Sequence, residues 1–299
     1  METLLSLSND LAGAVERAAR AVVAVHARPR LASTGVHWGP GVVVTADHTV
    51  RTDDDLRVTR PDGRTVPATL AGRDPATDLA VLRVADLAGP PAERGDPARL
   101  RVGHVVLAVG HGPRASWGVV STLGEAWRTW RGGEIDRLIR LDLTLYPGFS
   151  GGPLVDARGD VVGLVTSGLA RQLELAVPTS TVERVVEALL ATGRVARGYL
   201  GIGLQPVILP EALRPVVPGA GEQGLIVVNV EPAGPAATAG ILLGDVLVAL
   251  DGRAVGDTDA VQGVVAGRPI GSAVTVSLVR AGAPVQLSVA IGERPARKG

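Results

Sequence analysis

Between about residues 35 and 178 the chain runs in short apolar stretches, each stopped by Gly, Pro or Asp. Residues 41–44 (Gly-Val-Val-Val), 80–84 (Ala-Val-Leu-Arg-Val), 105–109 (Val-Val-Leu-Ala-Val) and 161–165 (Val-Val-Gly-Leu-Val) are typical. Runs of this length between turn signals predict many short strands, hence a barrel or sandwich. Long helices alternating with the strands, the mark of a parallel α/β sheet, are missing. Two segments carry a helical period instead. Residues 9–25 place Leu11, Val15, Ala18, Ala19, Val22 and Val23 so as to give an amphipathic helix running into a first strand. Residues 181–192 align Val182, Val185, Val186, Leu189 and Leu190 on one face, with Gly193 as a stop.

Beyond that helix the rhythm belongs to a smaller body. Strands are expected at 198–207, 224–230, 245–250, 273–279 and 285–290, with short helices at 235–239 and 257–266. The expected organisation is a helix and lead-in strand over 1–34, a β domain over 35–193, a small α+β domain over 196–293 and a tail over 294–299. The fold class is mainly β.

Composition narrows the function classes. The chain of 299 residues is 46% hydrophobic and 20% charged, as expected of a globular protein. Its 30 basic residues cancel its 30 acidic ones, so no electrostatic footprint points to a nucleic-acid partner. There is no cysteine, which excludes disulfides, thiol catalysis and thiolate metal sites. His26, His37, His104 and His111 lack ligand spacing, so neither metal nor cofactor is implied. Asn9, Asp10, Glu16 and Arg17 interrupt the first residues, leaving no secretory apolar core. No stretch approaches the roughly 18 apolar residues a spanning helix needs. The expected location is therefore cytoplasmic, with no membrane span.

Three short strings carry chemistry. Pro147-Gly148-Phe149-Ser150-Gly151-Gly152-Pro153 surrounds a serine with glycines, which lets backbone N–H groups converge beside its Oγ. A serine nucleophile needs such donors for the anion of its tetrahedral intermediate, and it needs a base. His48 ends the apolar strand that begins at Val42, and Asp78 stands at the entry to another apolar strand, Leu79-Ala80-Val81-Leu82. Asp47 and the run Asp53-Asp54-Asp55 compete with Asp78 as the acid behind the histidine. A sequence neighbour turns back onto the ring with difficulty, and a run of acids reads as a solvated loop. The order His, Asp, Ser is that of the chymotrypsin architecture, a double β-barrel in which the serine comes from the second barrel.

At these residues the chain resembles the HtrA/Deg (DegP-like) serine proteases. The resemblance rests on Thr45-Ala46-Asp47-His48, the stretch from Gly72 through Asp78 to Leu82, Leu100-Arg101-Val102-Gly103, and Gly148 to Val155. It extends to Gly198-Tyr199-Leu200-Gly201-Ile202 and to Ala239 through Leu247, which resemble that family's PDZ domain. The implied fold is a chymotrypsin-like double β-barrel over 35–193 and a PDZ domain over 196–293. The implied activity is ATP-independent endopeptidase action on unfolded or damaged polypeptides, by a homotrimer whose PDZ domain takes exposed C-termini. Ser150 is then the nucleophile, His48 the base, Asp78 its partner, and the N–H groups of Gly148 and Ser150 the oxyanion hole. Thr144, six before the serine, falls at the base of the S1 pocket, where the lack of a carboxylate disfavours a basic P1 residue. The resemblance implies a small aliphatic one. Val165, Thr166 and Ser167 form the strand that pairs with substrate. Leu200, Gly201 and Ile202 cradle a terminal carboxylate, helped by Arg197, while Ile202, Val261 and Val265 line the pocket for the last side chain. Phe149 stands where the family usually has asparagine. Its ring either seats the loop in the barrel or occludes the site, and occlusion would leave a peptide-binding holdase or a PDZ scaffold. Residues 112–135, with Trp117, Trp127 and Trp130, are the expected switching loop.

Overall fold

The computed structural model describes residues 2–170, 173–211, 213 and 222–294. Of the expected tail, only Arg294 is among them. Contacts divide the chain into two units, Met1–Val195 and Ala196–Gly299.

The first unit opens with helix α1 (Glu2–Ala19). Seven strands follow: β1 (Val22–His26), β2 (Ser33–Gly39), β3 (Val42–Ala46), β4 (Arg57–Thr59), β5 (Thr65–Pro67), β6 (Thr69–Asp74) and β7 (Leu79–Arg83). They form one antiparallel sheet in the order β5-β4-β1-β2-β3-β7-β6. The second half contains β8 (Val105–Gly110), β9 (Arg114–Gly124), β10 (Trp127–Arg128), β11 (Glu134–Ile135), β12 (Leu138–Asp142), β13 (Pro153–Asp156), β14 (Val161–Thr166) and β15 (Leu175–Pro178). Six of these close into a barrel, β12-β15-β14-β13-β8-β9, while β10 and β11 pair as a small hairpin. Helix α2 (Thr179–Thr192) ends the unit, and Gly193 closes it in a left-handed conformation (φ 74°). Much of the expected switching loop at 112–135 is therefore ladder. β9 alone takes up Arg114–Gly124.

The strands are apolar without alternation because both of their faces are covered. Val23, Val25, Val43, Ala80 and Leu82 fill the interior of the first sheet. Val106, Ala108, Val120, Leu154 and Val165 fill the second barrel. The intervening residues Val22, Val44, Leu79, Val81, Leu107 and Val109 join a third cluster with Val182, Val185 and Leu189 of α2. A strand buried on both sides has no polar face to show.

The second unit contains β16 (Gly198–Tyr199), β17 (Ile202–Ile208), β18 (Gln223–Val230), helix α3 (Pro235–Thr238), β19 (Val246–Leu250), β20 (Arg253–Ala254), helix α4 (Thr258–Ala266), β21 (Ala273–Arg280), β22 (Ala283–Ala290) and β23 (Gly292–Glu293). Its main sheet runs β17-β18-β19-β21-β22, so β17 is an edge strand. Asp257 caps α4 by accepting from Ala260 N at 2.7 Å.

Candidate active site

Strand pairing brings the first two residues together. β3 and β7 are antiparallel with Ala46 opposite Leu79, so the residues just past β3 meet those just before β7. Asp47 N donates to the Asp78 carbonyl at 3.1 Å, continuing the ladder by one step. A 3-10 turn over Asp47–Thr49 then presents His48. Thr49 Oγ1 donates to the Ala46 carbonyl at 2.7 Å and fastens that turn. On the other side, Asp74 Oδ2 accepts from Thr77 Oγ1 at 2.7 Å, closing the 74–77 turn. Asp78 leaves that turn in the left-handed region (φ 57°), a conformation aspartate tolerates better than most residues.

The result is a two-point clasp. Asp78 Oδ1 accepts the His48 backbone N–H at 2.8 Å, and Oδ2 lies 2.8 Å from His48 Nδ1. The aspartate side chain is 3% exposed and the imidazole 32%, so the acid is sealed while the ring still meets solvent. Thr166 Oγ1 also donates to Asp78 Oδ2, and Gly168 N donates to Thr166 Oγ1 at 2.9 Å. Gly168 has no room for a side chain: a Cβ there would lie 2.5 Å from His48 Nδ1 and 2.6 Å from Asp78 Oδ2. The rival acids are engaged elsewhere. Asp47 is bonded by Arg73 Nε at 2.5 Å, and Arg73 also holds Asp53 at 3.1 Å. Burial pushes the Asp47 carboxyl above the usual carboxylate range, and the Arg73 hydrogen bond opposes the shift.

The serine turn is held by close packing. Gly148 (φ 93°) and Gly151 (φ 85°) are left-handed. A Cβ at Gly151 would meet Thr45 Oγ1 at 2.5 Å and Ala46 N at 2.6 Å, so the turn rests directly on the strand that leads to His48. Thr34 Oγ1 of β2 donates to the Gly148 carbonyl at 2.6 Å. Gly151 N donates to the Val165 carbonyl, and Val165 N to the Gly152 carbonyl, each at 2.9 Å. Among the described residues no acceptor meets the N–H of Gly148 or of Ser150. Ser150 Oγ lies 3.2 Å from Ser167 Oγ, and that is its hydrogen bond here. Phe149 is fully buried in the barrel core beside Val106 and Leu154, so of its two expected roles the ring takes the seating one.

Some expectations need correction. Val165 is fully buried, and both of its backbone groups are committed to the serine turn, so it has nothing left to pair with a substrate. Thr166 is buried with its hydroxyl on Asp78, a bond that leaves its backbone untouched, and Ser167 is the exposed member of that trio. Thr144 is exposed on the connection between β12 and β13. In the second unit, the carbonyls of Leu200 and Gly201 accept from Ala236 N and Glu231 N, at 2.9 and 2.8 Å. Gly201 is left-handed (φ 79°). Val261 and Val265 are buried in that unit's core, with Ile202 packed against it. The Arg197 carbonyl accepts from Arg294 N at 2.9 Å. Gly168 is the residue that the sequence reading missed, since its contacts come from segments 90 or more positions away.

Comparison with known proteins agrees with this geometry. Residues 33–164 match the trypsin-like peptidase domain family and residues 198–291 the PDZ domain family. A probable periplasmic serine endoprotease, DegP-like, from Brucella suis is 35% identical over 290 residues, 92% of this chain and 55% of the relative. The putative serine protease HhoA of a Synechocystis species is 32% identical over 75% of this chain and 61% of its own. The chain thus spans a little over half the length of the curated relatives it matches. Among solved structures, the HtrA-type protease AlgW with a decapeptide superposes with a TM-score of 0.77 at 28% identity, covering 96% of this chain and 99% of that one. The serine endoprotease from Yersinia pestis gives 0.75 at 30% identity, covering 95% and 98%. The DegP-like relatives are named periplasmic, which overturns the cytoplasmic expectation. Barrel and PDZ cores form by the same physics on either side of a membrane, so composition carried no address. Sequence, fold and site geometry agree: the chain belongs to the HtrA-type serine proteases, with a trypsin-like domain followed by a PDZ domain.

Proposed function

We propose that this chain is a serine endopeptidase acting on unfolded or damaged polypeptides. Ser150 Oγ swings from Ser167 to His48 Nε2 and attacks the scissile carbonyl. His48 takes the hydroxyl proton and returns it to the leaving amine, while Asp78 fixes the imidazole tautomer and stabilises its cation. The free N–H groups of Gly148 and Ser150 receive the oxyanion. The observation that carries this reading is the clasp of Asp78 on His48, 2.8 Å at each oxygen, beside a serine turn with two unclaimed donors. The rival reading as a silent holdase or scaffold needed Phe149 to disturb the loop, and the ring instead packs in the core.

The PDZ unit binds peptides, and we assign it exposed C-termini. Edge strand β17 offers an unpaired side for β-addition. With the Leu200 and Gly201 carbonyls tied inward, the adjoining N–H groups of Gly201 and Ile202 face the opposite way, as a carboxylate cradle requires. AlgW, a relative, has been solved with a decapeptide. Ser167 is the first substrate-pairing position, P1 is small and aliphatic, and the chain works as a homotrimer; Leu4, Leu5 and Leu7 of α1 are exposed and available to an assembly. Labelling by a fluorophosphonate probe, abolished in Ser150→Ala, tests the enzyme, and a casein digest with product mapping reads the P1 residue. Absence of Ser150-dependent labelling would defeat the proposal.

A further inference from the structure

The turn between β8 and β9 touches the serine turn at more points than packing alone requires. Phe149 is wedged there on three sides. Its ring lies on the backbone of Gly110, where a Cβ would come within 2.7 Å of Cδ1 and Cε1. Tyr146 meets it edge-on, with centroids 5.6 Å apart and planes at 73°. The guanidinium of Arg114 stands over its face, 5.4 Å from the centroid, in cation–π geometry.

Arg114 also reaches the backbone on both sides of the turn. Its Nη1 donates to the Pro147 carbonyl at 3.4 Å, and its Nε donates to the His111 carbonyl at 3.2 Å. Nη2 lies 3.1 Å from where a Gly148 Cβ would sit. The neighbouring peptide is fixed from the same side: Thr34 Oγ1, which donates to the Gly148 carbonyl, accepts from His111 N at 3.1 Å. One feature of this arrangement bears on the reaction. In a trans peptide the C=O and N–H bonds point opposite ways. A Pro147 carbonyl drawn to Arg114 therefore turns the Gly148 N–H away from the guanidinium, and that N–H meets no acceptor among the described residues. Rotating this peptide by half a turn would replace a donor with a carbonyl oxygen facing the developing anion.

We propose that Arg114 is a positioning residue for the oxyanion hole. It clamps Phe149 through its face and the Pro147–Gly148 peptide through its carbonyl, and so keeps the Gly148 N–H in the donating orientation. This rests on the endopeptidase reading above. Arg114 is exposed and bonds only to the β8–β9 turn and the serine turn among the described residues, so its replacement should leave the fold intact.

The test compares Arg114→Ala and Arg114→Lys with the unaltered chain on a chromogenic peptide, with unfolding temperature as a control. For Arg114→Ala the expected result is a fall in kcat of at least about 10-fold, approaching the roughly 100-fold cost of losing one oxyanion donor. KM should stay within about twofold, because the donor acts in the transition state. Inhibition by a peptide aldehyde, whose adduct places an oxyanion in the hole, should weaken by the same factor as kcat/KM. Lysine keeps a cation over the ring and one donor for Pro147, and should restore much of the loss. Unchanged kcat in Arg114→Ala, a change confined to KM, or a lysine variant no better than alanine would overturn the proposal. The Gly148 amide resonance gives a readout free of turnover. It should move in Arg114→Ala and return in Arg114→Lys. If the unaltered chain proves inactive, the endopeptidase reading falls by itself, and an unmoved Gly148 resonance then overturns this inference separately.

Discussion

The two halves of the protease unit hold their catalytic groups by different means. His48 and Asp78, on the first half, are fixed by backbone register and directed hydrogen bonds: the β3–β7 ladder, the Asp78 clasp and a Thr166 hydroxyl reaching across from β14 of the second half. The serine turn of the second half adds shape to its hydrogen bonds with Thr34 and Val165, through glycines too close to their neighbours for any Cβ and a phenylalanine wedged in the barrel. The first is complete as it stands. In the second the Ser150 hydroxyl is bonded to Ser167. Hydrogen bonds define angles and suit a base that must keep one tautomer, whereas packing defines position and leaves a hydroxyl free to turn.

The most damaging change to the bonded half is Asp78→Asn. With the wrong tautomer imposed on His48, kcat should fall by about 10⁴ while the fold persists. Gly168→Ala attacks the same clasp sterically, since its methyl cannot share space with Nδ1 and Oδ2. Steady-state kinetics should place it within about tenfold of Asp78→Asn, and near-normal activity would show the clasp to be looser than the distances indicate. For the packed half, Gly110→Ala pushes against the Phe149 ring. We expect a loss of about 1–3 kcal/mol in denaturant unfolding, as for other overpacked cores, together with a reduced kcat.

Smaller effects sharpen the contrast further. Ser167→Ala removes the competitor for the Ser150 hydroxyl and should raise kcat roughly 2- to 10-fold, the equivalent of one ordinary hydrogen bond. A fall instead would mean that Ser167 assists the reaction. Burial holds His37 and His111 below the ordinary histidine range, and the Arg114 charge adds to the effect at His111. The unfolded chain then binds more protons than the native one as pH drops below about 6.5. Stability contributed by the neutral rings is present above that value and is lost as pH falls through the lowered native values. Urea titrations at pH 7.5 and 5.5 should show the decline, reduced in His37→Gln.

The His48–Asp78 clasp and the glycine-bound serine turn were legible because each residue carries a local signature. A histidine ends an apolar strand, an aspartate leaves a tight turn, and a serine sits among glycines. The fold class was legible for a related reason, since runs of Val and Leu cut by Gly and Pro fit little besides short buried strands. What stayed hidden depends on contacts between distant segments. Nothing near Gly168 announces that it lies against His48. Thr166 and Val165 look like any substrate-binding strand until the pairing shows one hydroxyl serving Asp78 and one backbone serving the serine turn.

Strands that are greasy on both sides have a consequence for how the chain finds its fold. Sliding β3 past β7 by one residue would exchange one set of valines for another, with little penalty from water on either surface. Something else must stop the slide. Asp47 N on the Asp78 carbonyl, and the Asp78 carboxylate on the His48 amide, lie at the end of that ladder and form only in one alignment. The groups proposed to perform the chemistry thus also act as a latch that tells two interchangeable strands where to stop.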